Sequence, residues 1–221
     1  MPIYSCEKRG VDFLFLHIPK CGGGSVEQFF RSNGFREELF CIDNRLRFYH
    51  CSPQHWHRQL IEQVLNTSCF SEIFAVVRDP VDRMISEYKW RLSHPWAVDG
   101  IDSWYLACRE AVRSNPYLFD NHFRPQIDFL VPAAKVFLLG NGLNLISDFI
   151  LKDMQIKLED PIILNQKEGV LFKRMSGDSE LLRRLEMSIP SRTTVELIKK
   201  DYRGDCQIVE RLKSLPYLVF N

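Results

Sequence analysis

The chain has 221 residues, 45% of them hydrophobic and 12% aromatic, enough apolar surface for one α/β domain with a sizeable core, and 1–221 reads as a single domain. Lys and Arg number 29 against 28 Asp and Glu, a net charge of +1, so no global field recruits nucleic acid or an anionic membrane, and any anion site is local. Cys6, Cys21, Cys41, Cys51, Cys69, Cys108 and Cys206 form no C-x-x-C pair and no metal-finger spacing, which points to free thiols in a reducing cytoplasm, with a single disulfide as the less economical alternative. The apolar run in "MPIYSCEKRGVDFLFLHIPK" is too short for a signal-peptide core or a membrane span.

Residues 11 to 18 form a β-rich apolar run broken by Pro19, and residues 25 to 32 carry helical periodicity through Val26, Phe29 and Phe30 until Gly34 stops it. Ser52 and Pro53 suit an N-cap and first helical position opening a helix through "QHWHRQLIEQVL". Residues 71 to 77 predict a second buried strand, after which Asp79 caps a helix reaching about residue 92. Residues 135 to 139 predict a third strand, closed by Gly140-Asn141-Gly142 and followed by a short helix to about residue 151. Residues 153 to 176 carry no clear assignment, and helices over 193–202 and 205–215 are expected to pack on the sheet. Strand alternating with helix implies a three-layer α/β sandwich around a mostly parallel sheet, with ligands beyond the carboxyl ends of the strands.

Two motifs fall at those ends. In "HIPKCGGGSVEQFF" Lys20 precedes Gly22, Gly23 and Gly24, and Ser25 follows. A Walker-type nucleotide loop has its lysine and hydroxyl after the glycines. The reversed order suits a loop whose lysine enters from the strand end and meets the bridging oxygen of a transferable group; a glycine-rich turn with a surface lysine is the plainer alternative. In "VVRDPVDRMISEY" Arg78 stands at a strand end, Ser86 eight residues on, and Arg83 between them. A guanidinium fork and a hydroxyl suit a phosphate monoester, although an ordinary capped helix with a charged face has the same pattern.

Together, "FLFLHIPKCGGGS" resembles the 5′-phosphosulfate loop, and "AVVRDPVDRMISEY" the 3′-phosphate segment, of sulfotransferases that use 3′-phosphoadenosine 5′-phosphosulfate (PAPS). The likeness is to the carbohydrate-type branch, related to heparan sulfate O-sulfotransferases and short bacterial proteins, and "CSPQHWH" and "DNHFRPQIDFL" extend it. The resemblance implies a P-loop-like sulfotransferase fold, a PAPS site drawn from Pro19, Lys20, Cys21, Gly22, Gly23, Gly24, Ser25, Arg78, Arg83 and Ser86, and release of 3′-phosphoadenosine 5′-phosphate (PAP). Cys21 and Gly24 stand where the branch commonly has threonine, so one hydroxyl that could bond the sulfate side is absent. Cys21 suits either a reactive thiol beside a cation or a small packing residue.

Sulfuryl transfer requires alignment of nucleophile and leaving group, neutralisation of charge on the leaving oxygen, and a base for the acceptor hydroxyl. Lys20 and the loop amides are expected to stabilise the leaving phosphate. The histidines are His17, His50, His55, His57, His94 and His122; by likeness to related enzymes His55 is the expected base, with His50 next, while His17 anchors the loop. No metal is required. The resemblance places His122, Arg124 and Gln126 on the side of a carbohydrate or other hydroxyl-bearing acceptor. Trp90, Trp96, Trp104 and Tyr105 are either core or an aromatic wall for rings of the ligands. A small kinase using ATP and a catalytically inactive nucleotide- or partner-binding module are the alternative readings.

Overall fold

The computed structural model describes residues 2–39, 50–92, 100–152, 154–157 and 186–221. Its sheet has six strands: β1 (Ile3–Cys6), β2 (Val11–Leu16), β3 (Arg36–Glu38), β4 (Glu72–Val77), β5 (Lys135–Leu138) and β6 (Leu218–Val219), in the order β3-β1-β2-β4-β5-β6. In β2, Phe13 to Leu16 are buried without a break, as are Ile73 to Val77 in β4. Alternate residues of a strand face opposite sides, so uninterrupted burial means that both faces are covered, the condition for a layered α/β core.

The expectation of a mostly parallel sheet is corrected at the edges. β2, β4 and β5 run parallel, but β1 pairs antiparallel with β2 and β3, and β6 antiparallel with β5. The short hairpin turn at Glu7–Arg9, closed by Gly10 with φ of 61°, folds β1 back on β2, a connection that only antiparallel strands allow.

Helices α1 (Gly23–Ser32) and α3 (Pro80–Arg91) leave β2 and β4 through the two motif turns. Asp79 caps α3 as its sequence suggests, its carboxylate accepting from Val81 N at 2.8 Å and Asp82 N at 3.2 Å. The helix expected from Pro53 is broken: Pro53–His55 is one 3-10 turn, Trp56 and His57 are extended, and α2 spans Arg58–Val64. The hydroxyl of Ser52 caps nothing because Asp120 takes it at 2.7 Å.

Helix α4 (Ile101–Ser114) is not among the expected elements, although its buried Ile101, Trp104, Tyr105 and Cys108 fall on one helical stripe. A single hydrogen-bonded turn, α5 (Leu118–Asn121), follows, then α6 (Asn144–Lys152), α7 (Arg192–Asp201) and α8 (Arg203–Leu212). The core around the sheet centres on Phe13, Phe15, Phe30, Phe74 and Phe137, and a second cluster joins Met84 and Tyr88 of α3 to Trp104, Tyr105, Ile198 and Tyr202. Trp104 and Tyr105 are therefore core; Trp96 and Cys41 lie outside the described residues. Among the described residues no helix is long and apolar enough to cross a membrane, and six cysteines are free thiols.

Candidate active site

The chain leaves β2 at Leu16 and turns through His17 to Gly22 into α1. Lys20 has a left-handed backbone, φ 67°, and Gly22 caps the helix at φ 84°. For a lysine that conformation is costly and persists where surrounding contacts hold it. Those contacts come from the second motif. Arg78, at the end of β4, donates from Nη1 to the Lys20 carbonyl at 3.4 Å, and Arg83 of α3 donates from Nε to the Pro19 carbonyl at 3.2 Å. The side chain of Lys20 reaches the face of Trp90, with Nζ 5.2 Å from the ring centre.

Gln126 locks the two turns together. Its Oε1 accepts from Arg78 N at 2.9 Å and from the Cys21 thiol at 3.2 Å, while its Nε2 donates to the Arg78 carbonyl at 2.8 Å and to Asp205 at 3.2 Å. This corrects the expectation for Gln126: it is 1% exposed and its amide is used within the fold, leaving little to offer an acceptor. Arg83 is fully buried and also donates from Nη2 to the carbonyls of His122 at 2.7 Å and Arg124 at 2.9 Å, with Nη1 3.9 Å from Asp205, so it braces the loop from behind. Cys21 is buried too, and burial, opposed by Arg83 and Arg78, pushes its thiol up to about 11. Of the two roles left open for it, packing fits and a reactive thiolate does not. Pro19 faces the same way, its carbonyl serving Arg83.

Three imidazoles stand in a row above the loop. His17 and His55 meet edge to face at 5.1 Å between ring centres, and His55 and His122 at 4.9 Å. Each has its Nδ1 on a carboxylate: His17 on Glu27 at 2.6 Å, His55 on Asp120 at 2.7 Å, His122 on Glu87 at 2.6 Å. Gln54 supports the first pair, Nε2 lying 2.8 Å from Glu27 and 3.0 Å from His17. Arg91 supports the third, bonding Glu87 at 2.7 Å. His122 also lies 5.7 Å from the ring of Trp90, so the row runs from the loop glycines to the lysine.

Burial lowers the pKa of His17 and His55 against the opposing pull of their carboxylates, so both rings are neutral near pH 7. Burial acts to raise Glu87, but His122, Arg91 and Lys20 outweigh it and hold the carboxyl at about 2. These shifts fix a sign. Below about pH 6.5 the unfolded chain protonates histidines that the fold keeps neutral, and below about pH 4.5 it protonates a carboxylate that the fold keeps ionised, so stability falls with pH through both windows. Urea titrations are expected to lose stability below pH 6.5 with a slope that approaches about 1.4 kcal/mol per pH unit for each such imidazole by about pH 5.5. A stability unchanged between pH 6.5 and 5 would contradict the neutral state of His17 and His55.

The remaining candidates fall around this centre. Ser25 is buried in the first turn of α1, and Ser86 is half-buried on α3. Gly22 and Gly23 open the helix, and Gly24 follows them there. His50 is exposed and stacks on Tyr117 at 4.9 Å instead of joining the row. His57 packs near the same tyrosine at 5.9 Å, and His94 lies outside the described residues. Arg124 lies over Tyr117, 5.4 Å from its ring centre, with Nε 3.0 Å from Asn121 Oδ1. The sequence analysis missed the carboxylates. Glu27, Glu87 and Asp120 look like surface residues until the fold brings a histidine to each, and only "DNH", where Asp and Asn precede the histidine, hints at a special backbone.

No curated protein and no solved structure matches the chain. The model of the sulfotransferase family matches residues 7–208, which includes both strand-end motifs, the histidine row and the helices that carry them. The chain therefore belongs to the sulfotransferase family.

Proposed function

We propose that the chain is a PAPS-dependent sulfotransferase that sulfonates a hydroxyl, most fittingly one on a carbohydrate or glycan, in the cytoplasm. The observation that carries the reading is the junction of Lys20 and Arg78, two cationic residues from the ends of adjacent parallel strands, joined through the Lys20 carbonyl. The donor set fits such a ligand: an ammonium, a guanidinium, and the amide-rich start of a ten-residue helix, where the backbone ladder begins with Ser25 N on the Gly22 carbonyl at 3.0 Å. The free thiols among the described cysteines favour a reducing compartment.

When bound, PAPS supplies an activated sulfuryl group on an oxygen that becomes a phosphate oxygen of PAP. Lys20 would neutralise charge at that oxygen, with the amides of Gly22 to Gly24 beside it. Arg78 and Ser86 hold the 3′-phosphate. His55, neutral and with Nδ1 committed to Asp120, keeps Nε2 as the proton acceptor for the acceptor hydroxyl. His50 remains the second choice, and its exposure beside Tyr117 disfavours it. Trp90 is 37% exposed, and with His122 and Arg124 it offers the flat and cationic contacts an acidic sugar would use.

Calorimetry with PAP, AMP, ATP and the 2′,5′ isomer tests the reading. Wild type is expected to select PAP, and Arg78→Ala to weaken PAP by about 2 kcal/mol while leaving AMP nearly unchanged. The substitution keeps the two bonds between the Arg78 backbone and the Gln126 amide but removes the one from Arg78 Nη1 to the Lys20 carbonyl, and AMP, which uses the same loop, reports any loss of that brace. Equal losses for PAP and AMP would remove Arg78 from the 3′-phosphate, and preference for ATP would turn the reading towards a kinase.

A further inference from the structure

Phe119, Asp120 and Asn121 are three consecutive non-glycine residues with left-handed backbones, at φ 51°, 61° and 66°. L-residues visit that region singly and at a cost, so a run of three needs contacts that hold it. Every one of its polar side chains grips the turn that carries His55. Asp120 Oδ1 accepts from Ser52 N at 2.5 Å, and Oδ2 accepts from Ser52 Oγ at 2.7 Å and bonds His55 Nδ1 at 2.7 Å. Asn121 Nδ2 donates to the His55 carbonyl at 2.9 Å and to Cys51 Sγ at 3.2 Å. The next residue, His122, meets Glu87 and lies edge to face with His55. Backbone strain of this kind gathers where a side chain must be aimed.

We infer that Asp120 is the positioning residue for His55, and that the left-handed turn exists to present it. An ionised carboxylate on Nδ1 can only accept a hydrogen bond, so Nδ1 carries the proton and Nε2 the lone pair. Burial acts to raise Asp120, and the bonds from His55 and Ser52 keep it below the usual carboxylate range, consistent with the acceptor role. The inference rests on the proposed function for its catalytic meaning, while the tautomer it assigns is a property of the protein alone.

Asp120→Asn isolates the charge, because asparagine tolerates the left-handed region and keeps the shape. Its Oδ1 can still accept from Ser52 N, which turns Nδ2 towards His55 Nδ1 and transfers the ring proton to Nε2. Long-range 1H–15N spectra of the imidazoles are expected to show His55 protonated at Nδ1 in wild type and at Nε2 in Asp120→Asn. Turnover is expected to drop at least about 100-fold with PAP affinity within twofold. Ser52→Ala, which leaves the carboxylate on His55, is expected to retain the wild-type tautomer and most of the turnover. A wild-type His55 protonated at Nε2 would overturn the inference, as would an Asp120→Asn protein with unchanged tautomer and rate. Loss of PAP binding by Asp120→Asn in parallel with turnover would assign Asp120 a purely structural role and overturn it too. Failure of wild type to bind PAP would sink the proposed function and leave the tautomer result standing on its own.

Discussion

Lys20→Ala is expected to lower kcat by about 100- to 1,000-fold while PAP binds almost as well as to wild type. The asymmetry comes from which atoms of Lys20 do which task. The loop is braced through the Lys20 carbonyl, which accepts from Arg78, and through the Pro19 carbonyl, which accepts from Arg83; neither bond uses the lysine side chain. Removing the ammonium therefore leaves the braced loop standing and deletes the charge proposed to meet the leaving oxygen. Glu87 loses one of the cations that hold its carboxyl down, but His122 and Arg91 still bond it. Single-turnover kinetics beside PAP calorimetry separate the two quantities. A variant that turns over normally once saturated would place Lys20 in ground-state binding only.

Gly23→Ala is expected to be the most damaging single methyl in the described chain. A β-carbon at Gly23 would sit 2.2 Å from His17 Nε2 and 2.4 and 2.7 Å from neighbouring ring carbons. The ring has nowhere to go: its Nδ1 is held by Glu27, which Gln54 Nε2 fixes in turn, and the ring abuts His55. An ordinary glycine-to-alanine change inside a helix gains up to about 1 kcal/mol, whereas overpacking of this severity costs about 3 kcal/mol. For a chain of this length that is a drop of about 6 to 12 °C in Tm, with PAP binding impaired as α1 shifts. Scanning calorimetry decides the sign, and pairing Gly23→Ala with His17→Ala is expected to restore part of the loss. A Tm at or above wild type would mean that the ring and the helix start are not in contact.

The two central strands were legible because their burial is a local, continuous property: "FLFL" and "IFAVV" are apolar on every residue, as a strand covered on both faces requires. The edge strands were not. β3 is Arg-Glu-Glu and β6 is two residues long, so neither has a hydrophobic signature, and each is a strand only because a neighbour offers a ladder. The same holds for the break before α2. Ser52 and Pro53 form a valid helix start by local rules, yet Asp120 captures both the amide and the hydroxyl of Ser52, and a half-buried carboxylate's demand for donors outweighs a helical cap.

By itself the sequence determined the order of strand, turn and helix, the two cationic residues at the strand ends and the family to which they belong, all of which depend on spacing within about a dozen residues. Only the tertiary structure decided which candidates share a centre. It turned Gln126 and Arg83 inward, stacked His50 on Tyr117 away from the row, and joined His55 to a carboxylate 65 residues away. The reason is physical: periodicity and turn chemistry are written between neighbours, whereas the partner of a buried polar group is chosen by whichever distant donor or acceptor the packed core leaves within reach.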